Sequence, residues 1–176
     1  MNKKRSYKEF WIWGQFNDIS TKVLKKAKNE VNKNLNGPTF NAHLTLSGPF
    51  ASFENTSMEK LQKLSNKLNP VKLYSEGIQT KGEFFQALFI KIHLRDDLLE
   101  FKRCIDNEFQ KQEKEFFPHI SLFYGNETAE KKKREAKKIV NLKDNFIMDR
   151  ISLAEVDEKI SSWKVVKTYS LFKLNQ

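Results

Sequence analysis

Two tripeptides of matching chemistry, His43-Leu44-Thr45 and His119-Ile120-Ser121, constrain the fold most, because each lies in an apolar stretch typical of a β-strand. Side chains of a strand alternate between its two faces. The imidazole and the hydroxyl of each tripeptide therefore face the same way, while the apolar residue between them faces a core. We expect the two strands to lie side by side, so that two histidines and two hydroxyls share one space.

The rest of the chain predicts an alternation of strands and helices. Apolar and β-branched runs predict strands at 10–16, 42–46, 71–80, 83–94, 119–123, 145–156 and 163–174. Helical spacing of apolar residues predicts helices at 19–31, 58–68, 98–109 and 128–141. The order strand, helix, histidine strand, helix, strand occurs twice. We therefore expect a single domain over residues 1–176, made of two pseudo-repeats at about 8–80 and 83–174.

Local sequence signals set the expected boundaries of these elements. Asp18 and Ser57 are predicted to cap the first two helices. Gly48-Pro49 predicts a turn after the first histidine strand, and Lys81-Gly82 predicts a turn into the strand at 83–94.

Charge and cysteine content narrow the class of protein. The 176 residues include 32 Lys and Arg against 22 Asp and Glu, a formal charge of +10, which attracts anionic ligands. The basic runs at 131–134 and 137–138 are expected on a solvated helix face, with a nucleic-acid-binding face as the alternative. The lone cysteine, Cys104, indicates a reducing compartment, so we expect a cytoplasmic protein. No apolar stretch approaches membrane-spanning length, so no membrane partner is expected.

Two histidines and two hydroxyls in one space suit metal-free chemistry on a phosphate. One imidazole can accept a proton while the other donates one, and hydroxyls can hold phosphoryl oxygens. Zinc needs three or four protein ligands, and the only further histidine, His93, is expected to be an exposed structural residue near a strand end. We therefore expect no metal and no other cofactor.

The residues around the two tripeptides resemble those of the two-histidine (2H) phosphoesterase superfamily, most closely the cyclic phosphodiesterases of plants and yeast. The resemblance rests on residues 37–40 ahead of the first motif and on 118–125 around the second. It implies an α+β, bilobal fold in which two pseudo-symmetric antiparallel sheets flank a central cleft, with helices on the outside. It also implies catalytic roles for the four polar residues of the tripeptides, His43, Thr45, His119 and Ser121. Ala42 departs from the family, which often has proline there.

The activity that this resemblance implies is hydrolysis of a cyclic phosphodiester to a phosphomonoester. The expected substrate is a nucleoside 2′,3′-cyclic phosphate or ADP-ribose 1″,2″-cyclic phosphate, and the sequence leaves open which histidine is the acid. One alternative is an enzyme acting on RNA ends, as a 2′,3′-cyclic phosphodiesterase or a 2′-5′ RNA ligase-like protein. Another is a non-catalytic module that binds nucleotide or RNA. We expect a monomer whose partner is a small cyclic nucleotide, with an RNA end as the alternative.

Aromatic residues near the motifs are candidates for substrate binding. Alternation in the predicted strand at 83–94 places Phe85 on the cleft face, where it can stack on a base or ribose. Tyr124, directly after the second motif, can close the pocket, bond a phosphate or anchor a turn. Ser47 continues the face of the first motif and is a weaker candidate. The tryptophans are expected in the core or at the rim; they are Trp11, Trp13 and Trp163.

Overall fold

Seven strands and four helices lie along residues 8–112 and 115–172, the part of the chain that this computed structural model describes. The strands are β1 (Glu9–Phe16), β2 (Leu44–Phe50), β3 (Val71–Gln79), β4 (Leu88–Ile92), β5 (His119–Phe123), β6 (Asn145–Val156) and β7 (Lys164–Ser170). The helices are α1 (Asp18–Asn32), α2 (Asn55–Ser65), α3 (Asp96–Glu108) and α4 (Ala129–Ala136). Short 3-10 turns occupy Phe84–Gln86 and Ile160–Ser162.

The strands pair antiparallel in the order β1-β2-β5-β4-β3-β6-β7, with a further pairing between β1 and β6. The α+β class and the antiparallel pairing are thus confirmed. The two sheets expected from the sequence are joined into one hydrogen-bonded array. The junction between the two histidine strands is narrow, because among the described residues β2 and β5 register only through Leu44 and Ile120.

The core lies between this sheet and the helices. Helix α1 buries Leu24, Ala27 and Val31, whose spacing places them on one helical face. On the sheet, Leu44 and Ile120 are fully buried, as the alternation of each tripeptide predicts. Because their backbones are anchored in the core, the polar residues beside them are held on the opposite face.

Several predicted boundaries are wrong. Asn17, whose side chain accepts from the amide of Ser20 at 2.9 Å, caps α1 in place of Asp18. Helix α2 begins after Glu54, so Ser57 lies inside it. Gly48-Pro49 lies within β2 and does not form a turn after it.

Three predicted elements are also shorter than expected. The strand at 83–94 is reduced to β4, because residues 84–86 form a 3-10 turn closed by the Gln86 amide on the Glu83 carbonyl at 3.1 Å. Helix α4 ends at residue 136 and not near 141. Strand β7 ends at residue 170, and positions 173–174 of the predicted strand lie outside the described residues.

The internal duplication stays a prediction.

Within the described part of the chain, no helix combines the length and the apolar character needed to cross a bilayer.

Candidate active site

A cavity of about 600 Å³ brings together five of the six residues predicted for the site. Strands β1, β2 and β5, the 3-10 turn at 84–86 and the segment after β6 supply its walls. We call it the cleft cavity. The predicted residues that line it are His43, Thr45, Phe85, His119 and Tyr124.

The two histidine rings are held in the same way. Nδ1 of His43 lies 2.7 Å from the carbonyl oxygen of Asn41, and Nδ1 of His119 lies 2.9 Å from that of Phe117. In each case the acceptor belongs to the residue two positions earlier. Because a carbonyl oxygen only accepts, Nδ1 must carry the proton. Nε2 of each neutral ring is then left with a lone pair that can accept a proton.

The strand register places the two motifs across from each other. Leu44 of β2 pairs with Ile120 of β5. His43 is the residue immediately before β2, and His119 is the first residue of β5. Both rings line the cleft cavity, and the charge of His119 acts on the pKa of His43. The two imidazoles therefore lie close enough to interact in one space.

The ring of His43 is packed between aromatic side chains. It stacks on the indole of Trp13, with centroids 3.8 Å apart and planes 11° apart, and meets the ring of Phe40 edge-on at 6.3 Å. Only 6% of the residue is exposed. Burial lowers the pKa of His43 to about 3; the bond to Asn41 opposes this shift, and the charges of Lys28 and His119 add to it.

His119 has a more open setting. It is half-buried, with the rings of Phe89 and Phe117 at centroid distances of 5.4 Å each. Burial again is the main cause that lowers the pKa of His119, and the bond to Phe117 opposes it. The charge of Lys81 lowers this pKa further and that of Glu83 raises it. The two histidines therefore differ in their charged neighbours.

The hydroxyls of the two motifs are not equivalent. Thr45 lines the cleft cavity. Ser121 is buried, is absent from the cavity lining, and donates from Oγ to the carbonyl of Phe85 at 3.3 Å. Ser47, the weaker candidate, is fully buried and donates to Asp106 at 2.8 Å, away from the cavity.

Aromatic rings form much of the remaining wall. Phe85 is 53% exposed and lies against Trp163, with centroids 6.0 Å apart and planes 20° apart. Phe85 reaches the cavity from the 3-10 turn. The sequence placed it on the cleft face from the alternation of a strand, but no strand forms at this position. Tyr124 stacks on Phe40 at 3.8 Å, and burial raises the pKa of Tyr124 to about 12. All three tryptophans line the cleft cavity, so the expectation of a place in the core or at the rim describes their position incompletely.

Sequence reasoning missed the polar part of the wall. Glu9, Asp157 and Glu158 form an acidic rim at one end. Asp157 and Glu158 directly follow the long apolar strand β6, and this change to acidic residues was the sequence signal from which the rim could have been predicted. Two buried polar atoms of the wall, Nε1 of Trp11 and Oε1 of Gln86, lack a hydrogen-bond partner among the described residues. Buried polar atoms are rarely left unpaired, so these two are candidates to bond a ligand.

Metal ligands are not grouped in the described residues: none of their His, Cys, Asp and Glu side chains form a set of three or more that could hold an ion. His93 lies outside the cleft cavity, exposed, with Nδ1 2.6 Å from a carboxylate oxygen of Glu76.

Comparisons with known proteins identify the family. Residues 10–175 match the family model described as "cyclic phosphodiesterase-like protein". A curated relative, the cyclic phosphodiesterase of Arabidopsis thaliana, is 23% identical over 173 residues, covering 93% of this chain and 94% of the relative.

Two solved structures share the fold. Escherichia coli LigT, complexed with 3′-AMP, aligns with a TM-score of 0.61 at 12% identity, over 95% of this chain and 99% of LigT. The protein TT0787 of Thermus thermophilus aligns with a TM-score of 0.58 at 14% identity, over 93% of this chain and 97% of that one. The fold and the family match together confirm the two-histidine superfamily expected from the motifs. The chain therefore belongs to the cyclic phosphodiesterase-like family of 2H phosphoesterases, and it is a phosphodiesterase.

Proposed function

We propose that the protein hydrolyses a nucleoside 2′,3′-cyclic phosphate or ADP-ribose 1″,2″-cyclic phosphate to a phosphomonoester, without a metal ion, by acid and base catalysis from His43 and His119. The observation that carries the proposal is the matched fixing of both Nδ1 atoms by backbone carbonyls beside one cavity. That arrangement prepares both Nε2 atoms for proton transfer.

The reaction needs one proton removed and one supplied. A water oxygen attacks the phosphorus, and the neutral imidazole accepts the proton that the water loses. The bond from phosphorus to one ring oxygen breaks, and the protonated imidazole donates its proton to that oxygen. Attack and departure are roughly in line at phosphorus, so the acid and the base must lie on opposite sides of it. The product is a monoester plus a free hydroxyl, and one water has been added.

We assign the acid to His119 and the base to His43 in this direction. Burial lowers the pKa of His43 to about 3, and the charges of Lys28 and His119 add to this shift. At His119 the charge of Glu83 opposes that of Lys81, so its protonated form is less strongly disfavoured by its charged neighbours. A bound phosphate anion favours protonation of whichever ring lies nearer. The roles exchange in the reverse reaction.

Thr45 and Ser121 are proposed to stabilise the negative charge that builds on the non-bridging oxygens. Thr45 already faces the cleft cavity. Ser121 must turn its hydroxyl from the Phe85 carbonyl toward the phosphate, because that carbonyl accepts its bond in the free protein. Loss of such a donor typically costs about 10²-fold to 10³-fold in rate.

Phe85 and Tyr124 are proposed to hold the nucleoside part of the substrate. The exposed ring of Phe85 beside Trp163 offers an aromatic face, and stacking on a base contributes about 1–3 kcal/mol. The relative in Arabidopsis is named a cyclic phosphodiesterase, and LigT was solved with a mononucleotide, 3′-AMP. Both support a nucleotide as the substrate. We further propose a cytoplasmic monomer, on the grounds of the single cysteine and the completeness of the cavity within one chain.

An RNA end is the second candidate substrate, favoured by the formal charge of +10. Binding to many phosphates weakens steeply with salt, whereas binding to one phosphate does not. The salt dependence of KM on a mononucleotide and on an RNA with a cyclic phosphate end separates the two.

The test of the proposed function is an assay of cyclic phosphates in the presence of a chelator. The panel holds the four nucleoside 2′,3′-cyclic phosphates and ADP-ribose 1″,2″-cyclic phosphate, and NMR identifies the phosphomonoester isomer that forms. We expect chelator-resistant formation of a single isomer from at least one of them. No hydrolysis, or hydrolysis only after a divalent metal is added back, overturns the proposal.

A further inference from the structure

A second cavity, of about 810 Å³, is lined in part by the segment that leads to His43. Its walls are helix α1 with the residue that follows it, residues 39–42, the end of β1, and Arg150 from the middle of β6. Four of its lining residues are cations, and Asp18 is its only lining acid. We call it the basic cavity, after Lys25, Lys28, Lys33 and Arg150.

Lys28 is the unusual member of this set. It is 6% exposed, its ammonium donates to the carbonyl of Phe40, and Nζ lies 3.1 Å from the centroid of that ring. Among the described residues no carboxylate pairs with it. A buried cation without a counter-charge is costly, and burial lowers the pKa of Lys28 to about 7. An anion in the cavity would supply the missing counter-charge.

The other cations of the basic cavity are paired to different extents, and Lys33 is already bonded to Glu30 at 2.6 Å. Lys25 is exposed and has no ion pair with any described residue. Arg150 is partly compensated by Asp149 at 3.1 Å and Asp18 at 3.6 Å. Oδ1 of Asn32 is buried without a partner in the described part of the chain. An amide oxygen only accepts, so this atom can bond a sugar hydroxyl but not a phosphate oxygen.

Strand β1 connects the two cavities. Its alternate residues face one side: Trp13 lines the cleft cavity and Gln15 lines the basic cavity, two residues or about 7 Å further along. A ribose with its substituents can span that distance. The chain itself makes a second connection, because Asn41 lines the basic cavity while its carbonyl holds His43.

The charge of the surroundings changes from negative to positive along β1. The acidic rim lies at the Glu9 end, and Arg150, which registers with Gln15, lies at the other. The two ends are about 20 Å apart along β1. A substrate with a second negative group is repelled at the acidic end and attracted at the basic end.

We propose that the basic cavity binds a second phosphate group of the substrate, beyond the cyclic phosphodiester that reacts at His43 and His119. The inference rests on the proposed function for the identity of the reacting group. It deepens that function by separating the substrates proposed there according to a second phosphate on the same sugar or on the one next to it, which ADP-ribose 1″,2″-cyclic phosphate carries and a nucleoside 2′,3′-cyclic phosphate lacks.

The test compares adenosine 2′,3′-cyclic phosphate with the same compound bearing a 5′-phosphate. We expect the wild-type kcat/KM to favour the 5′-phosphorylated compound by about tenfold, the scale of one charge-assisted hydrogen bond. In Lys25→Gln and in Lys28→Met this ratio falls toward one. Lys22→Gln removes a charge from the exposed face of the same helix, outside the lining of the basic cavity, and keeps the wild-type ratio.

A wild-type ratio near one overturns the inference, and so does a ratio that Lys25→Gln leaves unchanged. Because Lys28 is buried, thermal unfolding must first show that Lys28→Met folds. If it does not fold, Lys25→Gln alone tests the inference, because Lys25 is exposed.

Direct binding separates this inference from the proposed function. If the wild type hydrolyses neither compound, calorimetric titration with inorganic pyrophosphate still tests the cavity. A Kd raised about tenfold in Lys25→Gln, but not in Lys22→Gln, means that the basic cavity binds phosphate although the proposed reaction is wrong. Equal Kd values in the three proteins overturn the inference.

Discussion

The indole of Trp13 lies flat against the imidazole of His43, with the ring centroids 3.8 Å apart and the planes 11° apart. Trp13 belongs to β1, where it registers with Thr45 of β2, and only 4% of it is exposed. One side chain thus packs on the first histidine and sits across from the hydroxyl residue of the same motif. Trp13 is therefore a positioning residue for His43.

Replacing this ring should change the protonation of His43. In Trp13→Leu, water reaches the imidazole, and the pKa of His43 rises from about 3 toward its usual range, since burial is the main cause of its depression. Trp13→Phe keeps an aromatic face and shifts the pKa less. Titration of the His43 ring by NMR measures both variants. An unchanged pKa in a folded Trp13→Leu protein means that the indole does not control the setting of His43.

Stability should fall as the solution becomes acidic, and it should start to fall well above the range of the carboxylates. The pKa of both motif histidines is lowered in the folded protein, so below pH 6.5 the unfolded chain binds more protons, and for His43 this window extends down to about pH 3. The free energy of unfolding therefore decreases as pH falls, by up to about 1.4 kcal/mol per pH unit for each histidine. Urea unfolding between pH 6.5 and 4.5 measures the slope before carboxylate protonation dominates.

The same titration on His43→Gln provides the control for that slope. Glutamine does not titrate, so the slope in this window should decrease markedly. A variant that unfolds with the wild-type pH dependence would show that His43 is not buried in its neutral form.

The two motif hydroxyls should differ in their effect on rate. Thr45 faces the cleft cavity, whereas Ser121 bonds the Phe85 carbonyl in the free protein. We expect Thr45→Val to lower kcat by about 10²-fold or more. Ser121→Ala should cost less, because rotating its hydroxyl toward the phosphate gives up an existing bond. Steady-state kinetics on one cyclic nucleotide compares the two, and an equal or larger loss for Ser121→Ala contradicts the assignment.

Gly37 should be intolerant of a side chain. A Cβ there would lie 2.5 Å from the ring of Phe123 and 2.8 Å from the carbonyl oxygen of Tyr124, both at the second motif. Gly37→Ala should destabilise the fold by about 1–3 kcal/mol, as overpacking does. Gly82 has nothing within 4 Å of the same position, so Gly82→Ala is the matched control. Thermal unfolding of the two variants should differ clearly, and equal midpoints would contradict the packing.

The regular strands and helices were predictable where the spacing of apolar residues fits only one type of secondary structure. Strand β5 spans residues 119–123 as predicted, since its alternation matches the pleat and Pro118 limits it. The aromatic run at 84–89 was misleading. Apolar residues alone do not distinguish a strand from a 3-10 turn, and the hydrogen bond from Gln86 to Glu83 depends on the local backbone. Gly48-Pro49 stays in β2 for a similar reason, because tertiary pairing overrides the local turn preference.

The candidate site was most predictable where its chemistry repeats. The two motifs pointed to His43 and His119 because both place an imidazole and a hydroxyl at the same spacing. Lys28 has no such signal, since a lysine on a helix is usually solvated, and only the tertiary packing against Phe40 buries it. The carbonyl partners of the histidines were equally hidden, because a backbone acceptor leaves no mark on the residue types.

The rate of cyclic phosphate hydrolysis in single histidine variants tests the central claim most directly. The measurement is kcat on a nucleoside 2′,3′-cyclic phosphate with a chelator present, for His43→Gln, His119→Gln and the matched control His93→Gln, whose side chain is exposed outside the cleft cavity. We predict that each of the first two loses about 10²-fold to 10⁴-fold while still folded, and that the control keeps the wild-type rate. A wild-type rate in either His43→Gln or His119→Gln would contradict the account.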